Sequence, residues 1–199
     1  MAKKEFQHLP VKLLRGDELF KNNKGLSYGF TIHDFWRFMY SNIYDNTGDI
    51  AEFIVAMALD INQSYKKYGW TLYDIDYKGY RIEVKATQYF QIWEKNGKIS
   101  KQKRFNIGKS HSTEGDVTSP RIRNNDIYVF CLNKGETYET SDPRNLDNWL
   151  FWVIPTKVID YECGDKKTIS LQKVKSLCET KDGVTFENLK EAIEKYTKS

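Results

Sequence analysis

The stretch WTLYDIDYKGYRIEVKATQ, Trp70 to Gln88, decides how the chain is expected to fold. Apolar and aromatic residues alternate with charged ones on both sides of Lys78-Gly79, the pattern of two antiparallel strands joined by a tight turn. With Lys78 and Gly79 as a two-residue loop, Tyr77 faces Tyr80, Asp76 faces Arg81, Ile75 faces Ile82 and Asp74 faces Glu83. One face then carries Tyr73, Ile75, Tyr77, Tyr80, Ile82 and Val84. The other carries Leu72, Asp74, Asp76, Arg81, Glu83, Lys85 and Thr87. This register makes the two aspartates unequal. Asp76 is expected to form a cross-strand ion pair with Arg81, whereas Asp74 and Glu83 are like charges that repel unless something positive lies between them. A divalent cation would turn that repulsion into ligation, with Lys85 on the same face near a water or phosphate oxygen. The plainer alternative is a solvated strand face on which Lys85 neutralises Glu83. A one-residue slip would also undo the Asp74–Glu83 pairing.

Upstream of the hairpin, TIHDFWRFMYSNIY predicts a helix capped by Thr31, with Phe35, Phe38, Met39 and Ile43 at helical spacing. GDIAEFIVAMALDINQSYKKYG predicts a second helix ending near Gly69. Its stripe of Ile50, Phe53, Ile54, Met57, Ala58 and Ile61 is backed by Val55, Ala56 and Leu59, so most of its circumference is expected to be buried. Glu52 lies among the second group. A carboxylate there either tilts to solvent or a cationic partner, or points into a polar site beside the sheet.

Downstream, RFNIG is expected to be a third strand. DIYVFCLN has the continuous apolar character of a central, doubly covered strand, and WLFWVIP is a further strand stopped by Pro155. SDPRNLDN between them is turn chemistry, and TFENLKEAIEKYTKS is an amphipathic helix capped by Thr185. The predicted fold is therefore α/β (α+β), a central mixed sheet of about five strands flanked by helices. It forms a single domain with a helical N-terminal extension over 1–45, a core over 46–160 and a C-terminal extension over 161–199. The 199 residues, 40% apolar and 15% aromatic, are enough for one sizeable core.

A net charge of +4 does not by itself specify a partner, but its distribution is uneven. Six cations and one acid lie between Glu94 and Lys109: Lys95, Lys98, Lys101, Lys103, Arg104 and Lys109. Such a run is either a solvated loop or a phosphate-binding surface. Tyr89, Phe90, Trp93 and Phe105 are interleaved with it; packing under the sheet is the favoured role for them, and stacking on bases the other. Arg121 and Arg123 add further phosphate candidates. The scattered cysteines Cys131, Cys163 and Cys178 have no zinc-ligand spacing, and Cys131 is expected to be a small buried hydrophobe. An odd cysteine count without a secretion signal points to a reducing, cytoplasmic setting, and the longest nearly apolar run is too short to span a membrane.

The constellation of an acid before a turn, Glu83-Val84-Lys85 on the next strand and Glu52 on a preceding helix resembles the PD-(D/E)XK, restriction-endonuclease-like nucleases. Tyr73 stands where the motif name has a proline. DFWRFMYSN, AEFIVAMAL, IEVKAT, QIWE, RFNIG, DIYVFCL and LDNWLFWVIPT extend the resemblance, over about residues 31–157, to a group of bacterial proteins with such cores. Gly48-Asp49 here replaces an Arg-Gly pair of that group. The resemblance implies Mg²⁺, with Mn²⁺ substituting, held by Asp74, Glu83 and the carbonyl of Val84. It also implies that Lys85 positions water or stabilises the transition state, that Glu52 holds a metal-bound water or second ion, and that DNA is hydrolysed in a restriction or defence setting. Lys98, Lys101, Lys103, Arg104, Lys109, Arg121 and Arg123 would hold the backbone. Thr87 and Gln88 are outer donors or ordinary strand residues. Cutting both strands would favour a homodimer. The competing expectations are a non-catalytic nucleic-acid-binding module or a complex subunit on the same fold.

Overall fold

The computed structural model describes residues 13–61, 71–91, 99 and 102–197. Its centre is a four-stranded mixed sheet in the order β3 (Ile75–Tyr77), β4 (Tyr80–Gln88), β8 (Ile127–Asn133), β9 (Trp149–Pro155). Strands β3 and β4 form the expected hairpin, with Ile75 opposite Ile82, Asp76 opposite Arg81 and Tyr77 opposite Tyr80. Lys78 and Gly79 both have positive φ, 53° and 80°, as a two-residue turn with the twist of its strands requires. Strand β8 runs parallel to β4 and antiparallel to β9. All seven residues of β8 are buried, which explains its unbroken apolar sequence.

Both faces of this sheet are covered. On one, Ala51, Ile54, Val55 and Leu59 of α2 (Thr47–Ala58) and its C-cap pack with Leu189 and Ile193 of α5 (Phe186–Glu194) over Ile82, Val84, Val129 and Phe151. On the other, Tyr128, Phe130, Trp152 and Ile154 pack beneath β5 (Arg104–Asn106), β10 (Thr168–Ser170), α3 (Thr156–Cys163) and α4 (Leu171–Leu177). Each buried aliphatic or aromatic side chain contributes roughly 1.5–3 kcal/mol, so the two apolar layers hold the sheet between them.

Several expectations are corrected. The central sheet has four strands, because β5 leaves it to pair antiparallel with β10. The segment 161–184, expected to be extension, supplies β10 and α4, whose Ile169, Leu171 and Val174 seal the second face. The N-terminal part is not only helical: β1 (Leu19–Lys21) pairs with β2 (Ser27–Thr31) ahead of α1 (Ile32–Met39). Thr31 does cap α1, in a reciprocal box with Asp34. Yet α1 has no buried residue, and Phe35, Phe38 and Met39 are exposed. On α2, Phe53 is 58% exposed, whereas Ala51, Val55 and Ala56 are fully buried, so the buried stripe is rotated from the expected one. The strand ends β6 (Ser110–His111) and β7 (Arg121–Ile122) form a small separate pair. Among the described residues, no helix is long and apolar enough to cross a membrane.

Candidate metal and phosphate site

The hairpin ladder ends at Ile75, and this termination shapes the site. Asp74 does not continue the pairing opposite Glu83. Its N–H donates to the carbonyl of Ile82 at 3.1 Å, and its carboxylate Oδ2 accepts the N–H of Val84 at 2.7 Å. The expected face-to-face arrangement of the two acids is thus replaced by one in which Asp74 docks on the backbone between Glu83 and Lys85. The N–H and C=O of a strand residue point toward the same neighbouring strand. The Val84 carbonyl therefore projects to the side on which Asp74 sits, beyond the stretch that β3 covers.

Glu83 and Lys85 share the opposite side-chain face from Val84. Their Oε1 and Nζ are 2.5 Å apart, with side chains 19% and 29% exposed. Lys85 pairs with Glu83, but on a face that is not the solvated one of the plainer alternative. The pair is half-buried, so it is less screened than a surface ion pair. Glu83 also lies across the ladder from Tyr128. Burial first, and then the Glu83 charge, hold the Tyr128 hydroxyl well above its ordinary range.

Glu52 stands on α2 one turn before Val55 and Ala56, both fully buried, and is itself half-buried against the sheet side of the helix. Gln88 fixes where α2 begins: the Thr47 hydroxyl donates to its Oε1 at 2.6 Å, and its Nε2 donates to the Tyr44 carbonyl at 3.2 Å. Gln88 is therefore a fastener between β4 and α2. The expected buried Cys131 lies beneath this junction, opposite Ala86. Burial raises its thiol well above the ordinary value, and the charges of Asp74 and then Glu52 raise it further. Both carboxylates thus act on the same buried sulfur. Among the described residues, no three His, Cys, Asp or Glu side chains are grouped as ligands of one ion.

Asp76 and Arg81 occupy the expected register, but their partners differ. The Arg81 guanidinium forks onto Asp126, with Nη2–Oδ1 at 2.8 Å and Nε–Oδ2 at 3.1 Å, while Asp76 accepts the Gly79 N–H. The bidentate geometry favours Asp126, which also takes the Arg81 N–H at 2.9 Å.

The cations expected to hold a phosphate backbone separate into distinct groups. Lys98 and Lys101 lie outside the described residues. Arg123 is not a surface contact: its side chain is 0% exposed and binds the carbonyls of Ile107, Gly164 and Lys166 and the Asp160 carboxylate. Those acceptors lie on separate segments, so Arg123 is a structural staple. Arg121 is exposed but donates to the Lys109 carbonyl, and Lys109 pairs with Asp165 at 2.7 Å. Lys103 is only 7% exposed, contrary to a loop on the surface, while Arg104 beside it is exposed. Both line a groove. Phe105 packs under the sheet, 5.0 Å from Phe130 between ring centres, as favoured. Comparison of the chain with protein-family models, curated proteins and solved structures finds no match.

Proposed function

We propose that the protein is a Mg²⁺-dependent DNA endonuclease of the restriction-endonuclease-like type. The observation that carries this is the docking of Asp74 on the amide of Val84, within the Glu83-Val84-Lys85 tripeptide whose two charged ends pair at 2.5 Å. The donor set fits the metal in kind. Asp74, Glu83 and the Val84 carbonyl would hold it through hard oxygens, which suit Mg²⁺ when water and phosphate oxygens complete the shell. Mn²⁺ would occupy the same oxygens.

When bound, the ion would supply Lewis acidity that lowers the pKa of water and offsets phosphate charge. The protein's own groups do the rest. Lys85, held against Glu83, offers ammonium protons to the water or to the phosphate oxygens as negative charge accumulates. Glu52, anchored on a helix fastened to β4, orients a water on the opposite side. The water oxygen forms the new bond to phosphorus as the P–O bond to the leaving sugar oxygen breaks; the water's proton passes to solvent, and the leaving oxygen takes a proton from solvent to depart as a hydroxyl.

Nicking or linearisation of plasmid DNA with Mg²⁺ tests this, against EDTA and against Lys85→Ala. The expected result is cleavage lost in both. Robust cleavage by the Lys85→Ala protein would rule the site out. A second reading, a non-catalytic nucleic-acid-binding module, is favoured by one observation: Lys85 already balances the Glu83 charge at 2.5 Å. Salt-sensitive DNA binding with no metal-dependent cleavage of DNA or RNA would select it.

A further inference from the structure

The face of β4 that carries Glu83 and Lys85 continues into a groove. Side chains two apart share a face, so Thr87 and Tyr89 follow Lys85 in line. The Tyr89 N–H bonds the Asn133 carbonyl at 3.0 Å, extending the β4–β8 ladder one residue past Gln88. Tyr89 then forms one wall of a groove of about 620 Å³. Lys103 and Arg104 at the start of β5 form the second wall, and Ser170, Gln172 and Lys175 around the first turns of α4 form the third. The Leu171 N–H closes the floor on the Lys103 carbonyl at 2.9 Å, so the walls are fixed relative to one another. Lys175 is steadied by the Trp152 ring, 5.5 Å from its centroid.

The charge of this lining is one-sided. Three of its eight described residues are cations and none is an acid. The whole chain has 31 Lys and Arg against 27 Asp and Glu, so the described lining is more cationic than the chain as a whole. Lys103 and Arg104, whose guanidinium also donates to the Thr168 hydroxyl at 3.5 Å, converge here with Lys175 from a distant segment. The geometry points to this groove as a phosphate-backbone subsite for a nucleic-acid strand. Arg104 and Lys175 face the phosphates, Ser170 and Gln172 offer neutral donors, and Tyr89, packed on the apolar layer, closes the remaining wall. Lys85 lies four residues from Tyr89, roughly 13 Å along the strand. A strand in the groove thus leads toward the Glu83–Lys85 pair. That last step rests on the nuclease proposal; the phosphate binding does not.

The test is fluorescence anisotropy of a labelled DNA duplex and its single strand, in EDTA, across a series of salt concentrations. Wild type is compared with Arg104→Ala/Lys175→Ala and with Lys157→Ala/Lys181→Ala, which removes two exposed cations elsewhere. Circular dichroism verifies that each variant is folded. The expected result for the groove variant is a dissociation constant raised about tenfold or more. The slope of log K against log salt should also become shallower by about two, with little change in the control. Unchanged affinity in the groove variant, or an equal loss in the control, would overturn the subsite. So would the absence of binding by wild type. Wild-type plasmid cleavage with unchanged groove-variant affinity would sink the subsite and leave the nuclease proposal standing. Weakened groove-variant binding without any wild-type cleavage would do the reverse.

Discussion

Replacing Asp74 separates two jobs that the structure gives to one carboxylate. Its Oδ2 accepts the Val84 N–H at 2.7 Å, and Val84 is 6% exposed. Asp74→Ala strands that amide with little access to water. A hydrogen bond to a charged group is worth about 1.5–3 kcal/mol, and a bared buried donor costs a similar amount, so the expected loss is about 2 kcal/mol. For a chain of this size, that lowers Tm by about 4–8 °C. Asp74→Asn retains an acceptor oxygen and loses the charge. Its expected cost is under about 1 kcal/mol, while metal-dependent nicking disappears with the anionic ligand. Urea unfolding followed by tryptophan fluorescence gives the stabilities, and a plasmid assay gives the activity. An Asp74→Ala protein as stable as wild type would refute the docking of Asp74 on Val84. A fully active Asp74→Asn protein would refute its charge as a working part.

Other consequences can be measured independently. Arg123→Met is expected to lose about 2–4 kcal/mol, because it strips the carbonyls of Ile107, Gly164 and Lys166 of a charged donor, while the half-exposed Asp160 carboxylate is left to water; the DNA affinity of the folded fraction should not change. The Glu194 carboxylate accepts from the Lys78 ammonium and the Tyr77 hydroxyl, both at 2.7 Å, and these hold its pKa near 2 against an ordinary 4.5. Its folded-state pKa is depressed, so its stabilisation is present above about pH 4.5 and is lost as the pH falls toward 2. Urea midpoints across that range should lose this dependence in Glu194→Gln. The Cys131 thiol, buried and raised in pKa, should resist iodoacetamide in the native protein at mildly alkaline pH and react once urea unfolds it.

The parts of this fold that could be read in the sequence are those fixed by local chemistry. Lys78-Gly79 set the hairpin register because a two-residue turn leaves one pairing open. DIYVFCLN announced a doubly covered strand, and all of β8 is buried. The partners of long side chains were a different matter. Arg81 looked paired with Asp76 by register, but Asp126, 45 residues away, matches the guanidinium fork better. Arg123 sits in a polar stretch that reads as surface. Its burial depends on carbonyls at 107, 164 and 166 that only the tertiary fold gathers. Strand β10 has three residues, too few for a periodic signal, and its pairing removed β5 from the central sheet. Helix α1 showed apolar spacing, but spacing does not say what covers a face, and its aromatic residues are exposed. The Glu-Val-Lys tripeptide was visible, whereas the capture of its central amide by Asp74 depends on where the ladder stops.

The most direct test of the central proposal is anomalous diffraction from crystals soaked in Mn²⁺. The proposal predicts a manganese peak ligated by Asp74, Glu83 and the Val84 carbonyl. Well-defined side chains at these positions with no manganese between them, at a concentration that supports or should support cleavage, would contradict it.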